Sequence, residues 1–135
     1  MRRVSGPLLD RIDIRVVMAR MDAEQLVERA APEPSRVVAE RVREAWDEAH
    51  ARNGGVPNAQ LQGRRLLDTC AMPAGARRTI REVAQGLELT ARSVHRALRV
   101  ARTIADLRGR ARVGSDEILA AAAMRDRSIE QELAA

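Results

Sequence analysis

Lysine does not occur in this 135-residue chain: all 24 basic residues are arginine. A phosphate-cradling loop of the form G-x-x-x-x-G-K-[ST] is therefore excluded, because its lysine is what reaches the terminal phosphates. Gly54-Gly55 precedes Val-Pro and not a lysine-bearing helix, so this polypeptide alone is not expected to turn over ATP. Phenylalanine and tyrosine are also absent, and Trp46 is the only aromatic residue. The core must then be built from Leu, Val, Ile, Ala and Met, and a base-stacking platform for single-stranded nucleic acid is not available. Cys70 is the only cysteine, which excludes an internal disulfide and fits a reducing compartment. Its expected role is that of a small packed hydrophobe. His50 and His95 are the only histidines, and no ligand-spaced set accompanies them, so no metal site is expected. No segment approaches the ~20 consecutive apolar residues of a membrane span. Met1-Arg2-Arg3 is not followed by the apolar region of a signal peptide. A soluble, cytoplasmic protein without a membrane partner is the expectation.

The charges present are mixed. Net charge is +5, but 19 acidic residues are interspersed with the arginines and no long block of one sign forms. This balance tolerates polyanions without demanding them.

Along the chain, Gly6-Pro7 breaks any helix, and Ile12, Ile14, Val16 and Met18 alternate with Asp13 and Arg15 as in a strand. Asp22 to Ala30 reads as a short acidic helix with Asp22 as N-cap, ended by Pro32 and Pro34. Ser35 is placed to cap a long helix reaching about Arg52, with Val38, Val42, Ala45, Trp46 and Ala49 as its apolar stripe. Its other face mixes signs, with Arg36 and Glu40 at helical neighbour spacing. Asn53-Gly54-Gly55 stops it. Leu61, Leu66 and Leu67 suggest a short helix ending near Cys70 before the break at Met72-Pro73. Helices follow at Pro73–Gln85 (Ala76, Ile80, Val83, Ala84) and Thr90–Leu107 (Val94, Ala97, Leu98, Ala101, Ile104, Ala105). Gly109 and Gly114 bracket an extended link, and Ser115 with Glu117 opens a last helix through Ile118, Leu119 and Met124.

Two constellations carry chemistry. Asp10-Arg11 sits between the Gly-Pro turn and the strand-like run. An arginine fixed there could present its planar fork to phosphate oxygens, although a plain Asp–Arg pair at a strand's start also satisfies the spacing. Arg92, Arg96 and Arg99 follow steps of four and three, which stack them on one helix face opposite Val94, Leu98 and Ala101. Adjacent guanidinium groups repel unless an anion or an acidic partner lies nearby. Arg92 also falls in the first turn, where exposed amides favour an anion. Solvent-exposed arginines on an ordinary helix are the competing reading.

The segment "SGPLLDRIDI" resembles the stretch after the sensor-1 region in magnesium-chelatase-like AAA+ ATPases of the ComM/YifB branch. "NAQL" at residues 58–61 and "LTARSVHRALRVARTIADL" at residues 89–107 are similar to later segments of the same family, the second to its lid helix. The Thr-Ala-Arg start of that helix resembles, more distantly, the lid helix of MCM helicases. The resemblance implies a mainly α fold: a helical bundle like the C-terminal lid, preceded by a short strand-like segment from a truncated α/β core. It implies three parts, with the core's end at 1–20, a helical insertion at 21–62 and the lid at 63–135. It maps the arginine-finger role, the catalytic one, onto Arg11, and the sensor-2 role onto Arg92, with Arg99 as a further cofactor-binding residue. ATP and Mg2+ are implied for the full-length protein, with neither expected in this stretch alone. The implied partners are further copies of the chain, in a hexameric ring, and DNA as a candidate, through DNA processing.

A second class fits residues 79–101, which also have the layout of a helix-turn-helix DNA-binding domain. Ala84 and Val94 have its separation, Leu89 and Thr90 lie at the turn, and Arg92, Ser93, His95 and Arg96 could face a major groove. Glu88 stands where that motif prefers glycine, and Ala97 is small for its second-helix core.

Overall fold

The computed structural model describes residues 12–16, 18 and 33–125. The finger candidate Arg11, the Asp22–Ala30 helix and the residues past Arg125 lie outside that set. Among the described residues the regular elements are five α-helices and one 3-10 turn, with no strand. They are α1 (Ser35–Arg52), the 3-10 turn Asn58–Gln60, α2 (Gly63–Cys70), α3 (Ala74–Gly86), α4 (Ala91–Leu107) and α5 (Ser115–Ala123).

The chemistry of the ends explains most boundaries. Thr90 caps α4, its hydroxyl accepting from Ser93 N at 3.2 Å. Gly114 starts α5, where the Glu117 carboxylate accepts its backbone N–H at 2.9 Å. Ser35 does not cap α1. Pro34 occupies that position, and its carbonyl accepts from Val37 N at 3.0 Å, so Ser35 is the first helical residue. A proline there presets the backbone angle and removes an amide that would lack a partner anyway. Gly54 and Gly55, at φ +65° and +82°, turn the chain out of α1 as only glycine does without strain.

The central helix is α4. Helices α1, α2 and α5 and the 3-10 turn all pack against it, while α3 packs on α5. The core is wholly non-aromatic, running through Leu61, Leu66, Cys70, Ile80, Leu98, Ala101, Val113 and Ile118. Small alanines on α4 (Ala97, Ala101, Ala105) let its neighbours approach closely. Two positions of the expected α1 stripe face solvent instead: Val42 is 51% exposed and Trp46 55%, while Ala45 and Ala49 are buried. On α5, Ile118, Ala121 and Ala122 are buried and Leu119 is exposed. The mixed outer face of α1 is as expected, with Arg36 and Glu40 paired at 3.1 Å.

The strand expected from Ile12 onward is not formed among the described residues: 12–16 carry no regular element and bend at Asp13. The Arg15 amide donates to the Met124 carbonyl at 2.9 Å, so the segment lies against the end of α5.

Candidate functional site: an arginine-lined groove between two helix starts

Arg92, His95, Arg96 and Arg99 on α4 come together with Gln62, Gly63 and Ala91 around an open groove of about 720 Å³. The three arginines share a face because 3.6 residues complete a helical turn. The start of α2 contributes Gln62 and Gly63, and the start of α4 contributes Ala91 and Arg92, so two helix N-termini border one space. Neither Gln62 nor any other side chain caps α2. Amides at such ends and the positive ends of both helix dipoles favour an anion. Among the described residues, no carboxylate lines the groove.

The arginines are held differently. Arg92 is exposed and makes no hydrogen bond or ion pair with another described residue. Arg99 donates from Nε to the Leu61 carbonyl at 2.9 Å, which fixes its stem and ties α4 to the turn before α2. Arg96 pairs with Asp13, whose carboxylate also receives Arg125 Nη1 at 3.4 Å. An acidic partner thus relieves part of the repulsion that the spacing predicted. That partner lies 83 positions away in sequence.

Beside the groove, a buried polar network fixes α1 and the 3-10 turn onto α4. Asp106 accepts from Arg52 Nη1 at 2.6 Å, from Arg102 Nη2 at 2.9 Å and from Asn58 Nδ2 at 2.7 Å. Arg102 also donates to the Ala111 carbonyl at 2.9 Å and the Arg110 carbonyl at 2.5 Å. Sequence reasoning passed over this pair. The signal was present: Arg102 interrupts the Leu98–Ala101–Ala105 apolar face, and an acid follows one turn later. Asn58, the first residue of "NAQL", is buried and bridges Arg52, Asn53 and Asp106. A second buried carboxylate, Glu117, is opposed by burial but accepts from Arg108 at 2.7 Å, from the Gly114 amide and from Arg110, which together hold it below the usual carboxylate range.

Cys70 is fully buried, and loss of solvent pushes its thiol up to about 11 despite the nearby Arg102 and Arg52 charges. A thiol so held is a packed hydrophobe and not a nucleophile.

The sequence of this bundle matches a known family. The model of that family, described as "Magnesium chelatase, subunit ChlI C-terminal", covers residues 32–125. The chain belongs to this family. It is 37% identical over 126 residues to a protein of Mycobacterium tuberculosis (strain H37Rv), covering 91% of this chain and 25% of the relative. Similarity extends to YifB of Salmonella typhimurium, at 33% identity over 79% of this chain and 21% of the relative. Competence protein ComM of Haemophilus influenzae is 31% identical over 81% of this chain and 21% of its own length. The chain thus spans about a quarter or less of the relatives it matches. Its helical bundle is the C-terminal domain of a magnesium-chelatase-like protein of the ComM/YifB kind.

Proposed function

We propose that this chain supplies the lid and the arginine finger of a ComM/YifB-type AAA+ ATPase, with Arg92 as the sensor-2 contact to the terminal phosphate of ATP. The observation that carries it is Arg92 itself: a guanidinium with no hydrogen-bond or ion-pair partner among the described residues, in the first turn of α4, over a groove whose described lining holds no carboxylate.

The groove suits a phosphate chain. Its charged side chains are arginines, His95 adds a further nitrogen donor, and two helix starts add amide donors. The described residues suit Mg2+ less well, since no group of three or more His, Cys, Asp or Glu side chains is placed to hold a metal. In this reading the ion's ligands belong to the nucleotide-binding half of the full-length protein. When bound, ATP would supply the phosphoryl bond that is broken. Arg92 would neutralise charge on the terminal phosphate, and Arg99, its stem fixed on Leu61, would hold the groove's shape and offer its other nitrogens. Arg11 would approach from a neighbouring copy, completing the neutralisation that phosphoryl transfer needs.

The same reading includes the division at 1–20, 21–62 and 63–135, assembly into a hexameric ring, and work on DNA such as branch migration. Its support is family membership together with the groove.

The test uses the full-length protein. Arg11→Ala and Arg92→Ala should each lower the rate of ATP hydrolysis, Arg11→Ala by about 10³-fold or more. Nucleotide binding should be largely retained in Arg11→Ala. Wild-type turnover in either variant would overturn the corresponding assignment.

A further inference from the structure

Several surface arginines spend their charge on carboxylates: Arg36 on Glu40, Arg41 on Glu33, Arg64 on Asp68, and Arg110 on Asp116 and Glu117. Arg77, Arg78 and Arg81 on α3 and Arg112 on the α4–α5 link are exposed, and none of the four has an ion pair among the described residues. They form one surface. Arg77 and Arg81 are one helical turn apart and Arg78 lies three positions before Arg81, so all three occupy the outer half of α3, away from buried Ala76 and Ile80. Arg112 joins them across the α2–α3 turn. Its Nε donates to the Ala71 carbonyl at 3.2 Å, while Arg77 Nε donates to the next carbonyl, that of Met72, at 3.0 Å. The Val113 amide, donating to the Cys70 carbonyl at 2.9 Å, holds the link against the same turn.

We propose that this face, built from Arg77, Arg78, Arg81 and Arg112, holds the phosphate backbone of duplex DNA, separately from the arginine-lined groove. This rests on the protein working on DNA, as in the proposed function, and names the surface that meets it.

Three features support a polyanion backbone as the occupant. First, the arginines are preorganised. Arg81 Nε donates to the Arg77 carbonyl at 3.1 Å, so in three of the four the stem is pinned through Nε and the two terminal nitrogens are left for an acceptor. A guanidinium held in this way loses less freedom on binding, and its fork matches phosphate oxygens. Second, the charges stand in a row, about 6 Å from one helical turn to the next. A duplex carries one negative charge per about 1.7 Å of its axis, so it meets a row of cations at several points at once. Third, the only aromatic residue, Trp46, is on α1, so this face has no platform for the unstacked bases of a single strand. Phosphate contacts position a protein without reading sequence, and the face should therefore accept any duplex.

The experiment measures binding of the full-length protein to a short labelled duplex of random sequence by fluorescence anisotropy, between about 50 and 200 mM salt. The triple variant Arg77→Gln, Arg81→Gln, Arg112→Gln should bind more weakly and flatten the slope of log K against log salt by about 0.9 for each arginine removed. A control, Arg36→Gln with Arg41→Gln and Arg64→Gln, removes the same net charge from arginines that already have acidic partners and should keep the wild-type slope. Equal losses in that control overturn the proposal, because net charge alone would then suffice. The triple lysine variant, Arg77→Lys with Arg81→Lys and Arg112→Lys, keeps the charges without the Nε anchors and should hold the wild-type slope. If it loses as much slope as the glutamine variant, the α2–α3 turn has lost its structure and the face is overturned. Polyglutamate competing as well as unlabelled duplex at equal charge makes an acidic protein the partner and overturns it too. If wild type binds duplex and the glutamine variant matches it, this face fails while the DNA reading stands. If wild type binds no duplex even at the lowest salt, the DNA reading fails and takes the face with it.

Discussion

Arg102 and Asp106, one turn apart on α4, form a 2.9 Å ion pair in which the side chains are 0% and 2% exposed. Two charges taken out of water cost several kcal/mol each, and the attraction repays that only when every remaining donor and acceptor is met. Here most are. Asp106 takes bonds from Arg52, Arg102 and Asn58, and Arg102 spends further N–H groups on the carbonyls of the α4–α5 link. The network therefore specifies how α1, the 3-10 turn and that link dock, more than it adds to stability beyond an apolar core.

Removing one member is a different matter from never having the network. Asp106→Ala leaves the buried Arg102 guanidinium without its carboxylate and should cost about 3–5 kcal/mol in urea unfolding. Arg52→Ala should cost distinctly less, because Arg52 is 29% exposed and Asp106 keeps Arg102 and Asn58. Equal losses in the two variants would show that Asp106 is not the hub.

Glu117 predicts a pH dependence. Its carboxyl is held below its ordinary value of 4.5, so the folded protein binds that proton less readily than the unfolded chain. Stability from this group is then fully present above about pH 4.5 and is lost as pH falls through the lower folded value. Glu117→Gln should be less stable than wild type at pH 7, with the gap closing as pH drops below 4.5. A gap that stays constant from pH 7 to pH 3 would mean that packing, not charge, is what Glu117 provides.

Periodicity and punctuation carried the helices. Glycine and proline set most ends, and the 3.6-residue repeat alone points Ile80, Leu98 and Ala101 into the core, where they lie. The misses have physical causes. The apolar stripe of α1 includes Val42 and Trp46, yet the short alanines Ala45 and Ala49 are what let α1 sit close to α4, leaving Val42 exposed and the Trp46 ring at the edge beside His50. Arg92 and Arg99 were legible as one face because their spacing is local. Asp13 was not, because nothing local links it to Arg96 at a distance of 83 positions. The Arg102–Asp106 pair had a local signal, an ion pair inside an apolar face, and was readable only by treating that interruption as deliberate.

The helix-turn-helix alternative makes its own demand on the same residues. Its turn does have the left-handed step, since Glu88 sits at φ +49° where glycine is usual. Yet α3 makes its main packing contacts with α5, and of the four groove-reading candidates Ser93 is engaged by the Thr90 cap and Arg96 by Asp13. A major-groove reader needs several free side chains on one helix to discriminate bases, each good bidentate contact giving about 1–3 kcal/mol. With two of the candidates engaged, this chain should bind duplex DNA weakly and with little sequence preference. Any affinity should fall steeply as salt displaces phosphate contacts. Fluorescence anisotropy on a random pool and on selected duplexes, at several salt concentrations, measures this directly. Recovery of a preferred site bound 10³-fold or more above the pool, the usual margin for specific readers, would return residues 79–101 to the DNA-binding reading and remove Arg92 from the nucleotide.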